Sequence, residues 1–199
     1  MTTNDQVYIE AILNGDANAF AVLVDRYKDL VFTLALRMMK HREEAEEAAQ
    51  DTFIKTFKSL NKFKGDSKFS TWIYRVAYNT CLDRLKKNKR QQYPVEINEY
   101  TEHQVKTLDN ALDQIEAKEK AQTIQDCLAL LPSEDSFLLT LYYFEELSLE
   151  EVAKIVGLKP NNVKVKLFRS RKKLATILKS KLDNDIIESY EKTYRAAFR

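Results

Sequence analysis

Glycine and proline are nearly missing from this chain, with three of each in 199 residues. So few turn-formers, and almost no alternation of apolar and polar residues, exclude a sandwich or barrel and predict an all-α chain. Cysteine occurs only at Cys81 and Cys127, and histidine only at His41 and His103. None of them clusters, so a disulfide framework and a metal site are both excluded. The two thiols fall in helical patterns and read as reduced core groups. No secretory leader is recognisable and no apolar run is long enough to cross a bilayer, so membrane insertion is excluded and a cytoplasmic location is expected. Glycine-rich phosphate loops, nucleophile elbows and paired catalytic carboxylates are also lacking. We therefore expect no catalytic residue, cofactor or metal site.

What is present is segregated charge. The net charge is only +2, yet residues 1–91 carry 16 Lys/Arg against 12 Asp/Glu, and residues 118–182 carry 12 against eight. Residues 92–117 between them hold one lysine and six acids. Two basic modules on an acidic connector suggest two anion-binding surfaces, each of modest affinity from charge alone.

Along the chain, a short helix from about Asp5 to Leu13 ends at Asn14-Gly15, and Asp16 can cap the next. There Phe20, Leu23, Val24, Tyr27, Leu30, Val31, Leu34, Ala35 and Met38 recur at helical spacing. A third helix after His41 carries Ala45, Ala48, Thr52, Phe53, Phe57 and Leu60 inward. Its other face is crowded with Glu43, Glu44, Glu46, Glu47, Gln50 and Asp51. Favourable contact with the helix dipole accounts for Glu43 and Glu44, but Gln50 and Asp51 lie about two turns in. That face suggests protein docking.

The stretch Phe63–Arg90 starts at a loop containing Gly65, followed by Ser67, Ser70 and Thr71, which are N-capping types. Ile73, Ala77, Cys81 and Leu85 then stack on one helical face. Phe69, Trp72, Tyr74 and Tyr78 alternate with Lys64, Lys68, Arg75 and Arg84, and the run ends Lys86, Lys87, Lys89, Arg90. Aromatic faces beside a cationic track suit single-stranded nucleic acid, with stacking for bases and cations for phosphates. A solvated basic helix with Phe69 and Trp72 in the core fits the same residues.

From Gln91 the periodicity fails around Pro94 and returns with Leu108, Leu112 and Ile115, then Ile124, Leu128 and Leu131, stopping at Pro132. Ser133 can cap a helix that turns Phe137, Leu138, Leu141 and Phe144 inward. Ser148 and Glu151 form a capping box, Val152, Ala153 and Val156 follow, Gly157 ends that helix, and Pro160 starts another. Val163, Leu167, Leu174 and Ile177 or Leu178 point inward from it. Ala153, Gly157 and Val163 have the spacing of a helix-turn-helix. Asn161, Asn162, Lys164, Arg169 and Lys172 are left outside, where Asn and Arg can read base edges and Lys can meet phosphates.

The segments EEAEEAAQDTFIKTF, FKGDSKFSTWIYRVAYN and LPSEDSFLLTLYYFEELSLEEVAKIVGLKPNNVKVKLFRSRKKL, in that order, resemble the extracytoplasmic-function (ECF) group of bacterial RNA polymerase sigma factors. The resemblance covers about Asp16–Arg90 and Glu116–Leu178. It implies two small helical domains joined by a flexible acidic linker: region 2 at 1–91, the linker at 92–115, region 4 at 116–182, and an extension at 183–199. It implies a specificity subunit that binds core RNA polymerase, through the β′ clamp helices and the β flap, and promoter DNA, and that promotes melting; since initiation chemistry belongs to the polymerase, it also implies a protein that is not itself an enzyme and has no small-molecule substrate. An anti-sigma protein is a common further partner in the family.

By the same resemblance, Glu47, Gln50, Asp51 and Phe53 dock on polymerase. The −10 element falls to Lys64, Ser67, Lys68, Phe69, Ser70, Thr71, Trp72, Arg75, Asn79, Arg84, Lys86 and Lys87. The −35 groove falls to Asn161, Asn162, Lys164, Lys166, Arg169, Arg171 and Lys172. Asn162 replaces a frequent small hydroxyl residue and Val165-Lys166 replace a common Ser-Arg, which leaves base preference open. Nothing resembles the extra N-terminal or middle regions of housekeeping sigma factors. Two other readings compete: a free-standing helix-turn-helix regulator, which would need a dimer interface, and a helical adaptor for an acidic partner. In the extension, Ile186, Ile187, Tyr190, Tyr194 and Phe198 make an apolar stripe. It can pack on the modules, or lie across region 4 or the linker and hide DNA-binding surface.

Overall fold

The computed structural model describes residues 5–89 and 117–181, and among these every regular element is helical. The linker, the extension, and with them the expectations for Leu108, Leu112, Ile115 and the Ile186–Phe198 stripe, lie outside the described residues. α1 (Asp5–Leu13) ends as its sequence predicts. The Asp16 side chain accepts a hydrogen bond from the Asn18 backbone N–H at 3.0 Å, capping a short turn that leads into α2 (Phe20–Met39). On α2 the stripe Leu23, Tyr27, Val31, Leu34, Ala35 and Met38 is buried. α3 (Arg42–Ser59) and α4 (Phe69–Lys89) pack on it and on each other, with Ile73, Ala77 and Cys81 of α4 facing in. Asp5 fastens α1 to α2 by accepting from Arg26 and from the Tyr27 hydroxyl, the latter at 2.6 Å.

Two inward assignments and one cap change. Phe57 is 43% exposed, because the buried face runs through Thr52, Thr56 and Leu60. At 3.6 residues per turn Phe57 falls about 100° round from Thr56, where its ring meets Phe20 edge-on at 5.0 Å. Phe144 is also exposed. It ends a π-helical turn, Thr140–Phe144, whose extra residue advances the helical phase and carries the ring outward. Ser133 does not cap. Pro132 holds the cap position with extended ψ (143°), so Ser133 is already inside the helix.

The second group comprises α5 (Ala117–Leu130), α6 (Ser133–Leu139), α7 (Leu149–Val156) and α8 (Pro160–Lys181). The capping box forms in full: Glu151 N–H donates to Ser148 Oγ at 3.2 Å and Ser148 N–H donates to Glu151 Oε2 at 3.0 Å. Gly157 takes the left-handed conformation (φ 69°) that stops α7, and Pro160 opens α8. Val152, Ala153 and Ile155 are then buried with Val163 and Leu167, giving the helix-turn-helix.

The two groups share one core. α4 packs on α7 and α2 on α6, and the Tyr78 and Phe137 rings lie 5.0 Å apart. Lys40, left-handed at the end of α2, donates to the carbonyls of Ala129 (2.6 Å) and Leu131 at the end of α5. A cation is favourable at that negative helix end. Lys68 pairs with Glu151 at 2.8 Å, so one carboxylate serves the capping box and the contact between groups.

Nothing lies within 4 Å of a Cβ built on Gly157, so its requirement is conformational. Gly157→Ala should cost about 1–2 kcal/mol in urea unfolding, and Gly157→Asn less. The hydrogen bond from Lys68, joined by those from Ser148, holds the Glu151 carboxyl below its ordinary value of 4.5. A carboxyl depressed on folding adds stability that is complete above its unfolded pKa and lost as pH falls through the folded value. The loss of urea stability between neutral pH and about pH 3 should therefore be smaller in Glu151→Gln than in the parent protein. An equal loss removes Glu151 from the acid response.

Candidate nucleic-acid interface

A cavity of about 400 Å³ opens where the loop after α3 enters α4, lined by Lys62, Phe63, Lys64, Asp66, Ser67, Thr71, Trp72 and Arg75, with Lys154 of α7 at its rim. Gly65, at φ 77°, supplies the tight turn of that loop. Four cations surround one acid, over an aromatic floor. The floor is built on Phe69, which is only 3% exposed and meets Phe63 at 5.6 Å, Trp72 at 5.7 Å and Tyr27 at 5.5 Å.

Phe69 is therefore a support and not an open stacking face. Thr71, Tyr74 and Tyr78 are buried as well, and burial pushes the Tyr78 phenol up to about 12. The aromatic series divides because Phe69, Tyr74 and Tyr78 fall beside the Ile73–Ala77–Cys81 stripe. Trp72 and Phe63 are only half-buried. Lys64 and Lys68 are exposed, and Ser67 and Ser70 are half-buried. Phe63, Lys62 and Lys154 were not among the predicted residues. Lys62 had a signal in its proximity to the loop, whereas Lys154 had none, since it comes from the other group.

Arg75, Asn79, Lys86 and Lys87 are exposed along α4. Arg84 is not with them. Its guanidinium donates to Glu47 Oε2 at 2.8 Å and, from Nε and Nη2, to Asp51 Oδ2 at 3.2 and 2.5 Å. These hydrogen bonds, that to Glu47 first, raise its pKa above the ordinary arginine value. Thus the structure joins a residue expected at DNA to two expected at polymerase. Gln50 is exposed, while Phe53 is half-buried against the core. Ile54 and Phe57 stand exposed one and two turns beyond Gln50, an outward apolar stripe the inward reading of Phe57 had concealed.

On α8, Asn161, Asn162, Lys164 and Arg169 are exposed. Lys166 instead pairs with Glu134 at 2.7 Å, Arg171 donates to the Tyr143 hydroxyl at 3.2 Å, and Lys172 lies 4.7 Å from the centre of the Phe168 ring. Ser170 and Lys173 both bond to Asp135, at 2.6 and 2.7 Å, fixing α8 on α6. The exposed amide and cationic side chains are accordingly concentrated in the first three turns of α8.

Among the described residues no group of three or more His, Cys, Asp or Glu could hold a metal ion, and no helix is long and apolar enough to cross a membrane. Burial raises the Cys81 thiol to about 12, as a core thiol requires.

Residues 23–91 match the Sigma-70 region 2 family and residues 121–174 match Sigma-70, region 4. The chain is 35% identical over 172 residues to the ECF RNA polymerase sigma factor SigW of Bacillus subtilis, covering 83% of this chain and 92% of the relative. It is 33% identical to the RNA polymerase sigma-H factor of Pseudomonas aeruginosa, over 84% of this chain and 90% of that one. Among solved structures it is similar to CnrH in complex with the cytosolic domain of CnrY (TM-score 0.61, 22% identity, 89% of this chain and 99% of that one). It is also similar to the sigma factor RpoE in complex with the anti-sigma factor NepR from Bartonella quintana (TM-score 0.60, 17% identity, 82% and 98%). The two matched regions occur in the order and spacing the helices show, and with identity of this extent they set aside a free-standing regulator: the chain belongs to the ECF RNA polymerase sigma factors, which bind core polymerase and direct it to promoters.

Proposed function

We propose that residues 1–91 and 116–182 act as separate promoter-reading modules, region 2 on the −10 element and region 4 on the −35 element. In this reading residues 92–115 connect the modules and residues 183–199 extend the second. The observation that carries it is the basic-aromatic cavity at the start of α4, continuous with the exposed stripe Arg75, Asn79, Lys86 and Lys87. A base flipped out of the duplex costs a few kcal/mol, and stacking on an aromatic returns about 1–3 kcal/mol. Trp72 and Phe63 supply that stacking, with Ser67 in the cavity wall for polar edges, while Lys62 and Lys64 take adjacent phosphates and Lys68 joins them on leaving Glu151. Asn161, Asn162, Lys164 and Arg169 meet the major groove at −35. No nucleophile or general base is needed, because initiation chemistry resides in the polymerase; the chain acts as a non-enzymatic subunit in the cytoplasm.

Polymerase docks on the α3 face of Glu47, Gln50 and Asp51, and Ile54 and Phe57 extend that face with apolar area. The sigma factors it is similar to in structure were captured with partner proteins, and we assign this chain an anti-sigma partner on the same grounds. In vitro transcription with core polymerase over a genomic library tests the reading: enriched start sites sharing two spaced elements support it, and core-only background overturns it.

Gln50→Lys places a cation on the docking face at a solvated position and should weaken core affinity with helicity unchanged; native affinity would displace docking from α3. Lys164→Ala should weaken promoter binding and lower its salt slope by about one unit. Asn162→Ala should instead change base preference at −35, by roughly 1–3 kcal/mol at the contacted pair. Wild-type behaviour of both in a salt titration would remove α8 from the groove.

A further inference from the structure

The structure assigns Arg84 to polymerase docking: it is a positioning residue that holds the Glu47 and Asp51 carboxylates in a fixed arrangement on α3, and it does not contact the promoter. The inference rests on the docking reading of α3 and adds a residue from a different helix to it.

Three observations converge on Arg84. The first is direction. At 3.6 residues per turn Arg84 lies about 180° round α4 from Arg75, whereas Lys86 returns to the Arg75 side. A strand following Arg75, Asn79 and Lys86 therefore passes along the face opposite the Arg84 side chain. The second is engagement. Nε and Nη2 both donate to Asp51 Oδ2 and Nη1 donates to Glu47 Oε2. The planar fork spans two carboxylates at once, which a lysine ammonium cannot reproduce. The third is exposure. Arg84 is 26% exposed in its side chain, while Glu47 and Asp51 remain 68% and 44% exposed. The cation is withdrawn and the acids are presented.

The arrangement answers a specific problem. Glu47 and Asp51 stand at i and i+4 on one helix, where like charges repel and long side chains spread. Arg84 offsets that repulsion through one oxygen of each carboxylate, while both acids stay open to a basic partner surface. Binding then costs less side-chain ordering, because the acids are already placed.

The test is a set of full-length variants measured for core polymerase affinity, for affinity to single-stranded −10 DNA in the holoenzyme, and for thermal unfolding. Arg84→Ala should lower core affinity about 10-fold, while single-strand binding by assembled holoenzyme stays within about twofold. Arg84→Lys should recover part of the loss. Asp51→Asn should lower core affinity by itself, and Arg84→Ala added to Asp51→Asn should cost far less than it does alone. An unchanged or tighter core affinity in Arg84→Ala overturns the inference, the second result meaning that net negative charge alone governs docking. So does a loss confined to single-strand binding, or a fall in melting temperature with docking intact. If Gln50→Lys and Asp51→Asn also leave core affinity unchanged, the docking reading of α3 is what has failed. If they weaken it and Arg84→Ala does not, only the role of Arg84 is wrong.

Discussion

Burial of the Phe69 ring is the contact on which the basic-aromatic end of the molecule depends. At the first residue of α4, it is held edge-on by Tyr27 of α2 and in turn supports Phe63 and Trp72. A base-stacking surface needs rings that do not rotate away when a base arrives, and a buried aromatic neighbour supplies that restraint. The same ring fixes where α4 begins, and hence the phase that turns Arg75, Asn79 and Lys86 outward. Asp5 extends the support by fastening Tyr27.

The two groups of helices are joined by contacts of unequal strength. Tyr78 against Phe137, and α2 against α6, bury apolar surface, which is the larger contribution. The Lys68–Glu151 pair is 72% exposed on its lysine side, and such pairs contribute about 0–1 kcal/mol. Its consequence is positional. It draws a cation from the loop at the basic-aromatic cavity onto the first helix of the helix-turn-helix, and Lys154 lines the same cavity. In this arrangement the region 2 and region 4 surfaces are neighbours on one body.

Charge on the surface follows the same logic of partial commitment. Several cations that a sequence pattern assigns to DNA are engaged by neighbouring acids or rings: Arg84 by Glu47 and Asp51, Lys166 by Glu134, and Lys172 by Phe168. Those left open are grouped at the cavity, along one edge of α4 and in the early turns of α8. The grouping narrows a dispersed basic count to three compact patches, which is how a chain of net charge +2 can still address nucleic acid.

Much of the fold was legible from local chemistry. The bounds of α1, the stripe on α2, the Ser148–Glu151 capping box, the left-handed Gly157 and Pro160 at a helix start each depend on residues within a few positions of one another, so pattern and backbone preference suffice. The family resemblance was legible for the same reason, since it lies in ordered local motifs. Tertiary structure decided the rest. Phe57 and Phe144 face outward because Thr56 and a π-helical turn set the helical phase. Phe69, Tyr74 and Tyr78 became core because α2 and α6 cover that side of α4. Arg84 turned to α3, and Lys154 came to a cavity made by another module. Residue type does not distinguish a stacking aromatic from a packed one, or a phosphate-seeking cation from one already paired; the neighbour that arrives from a distant part of the chain does.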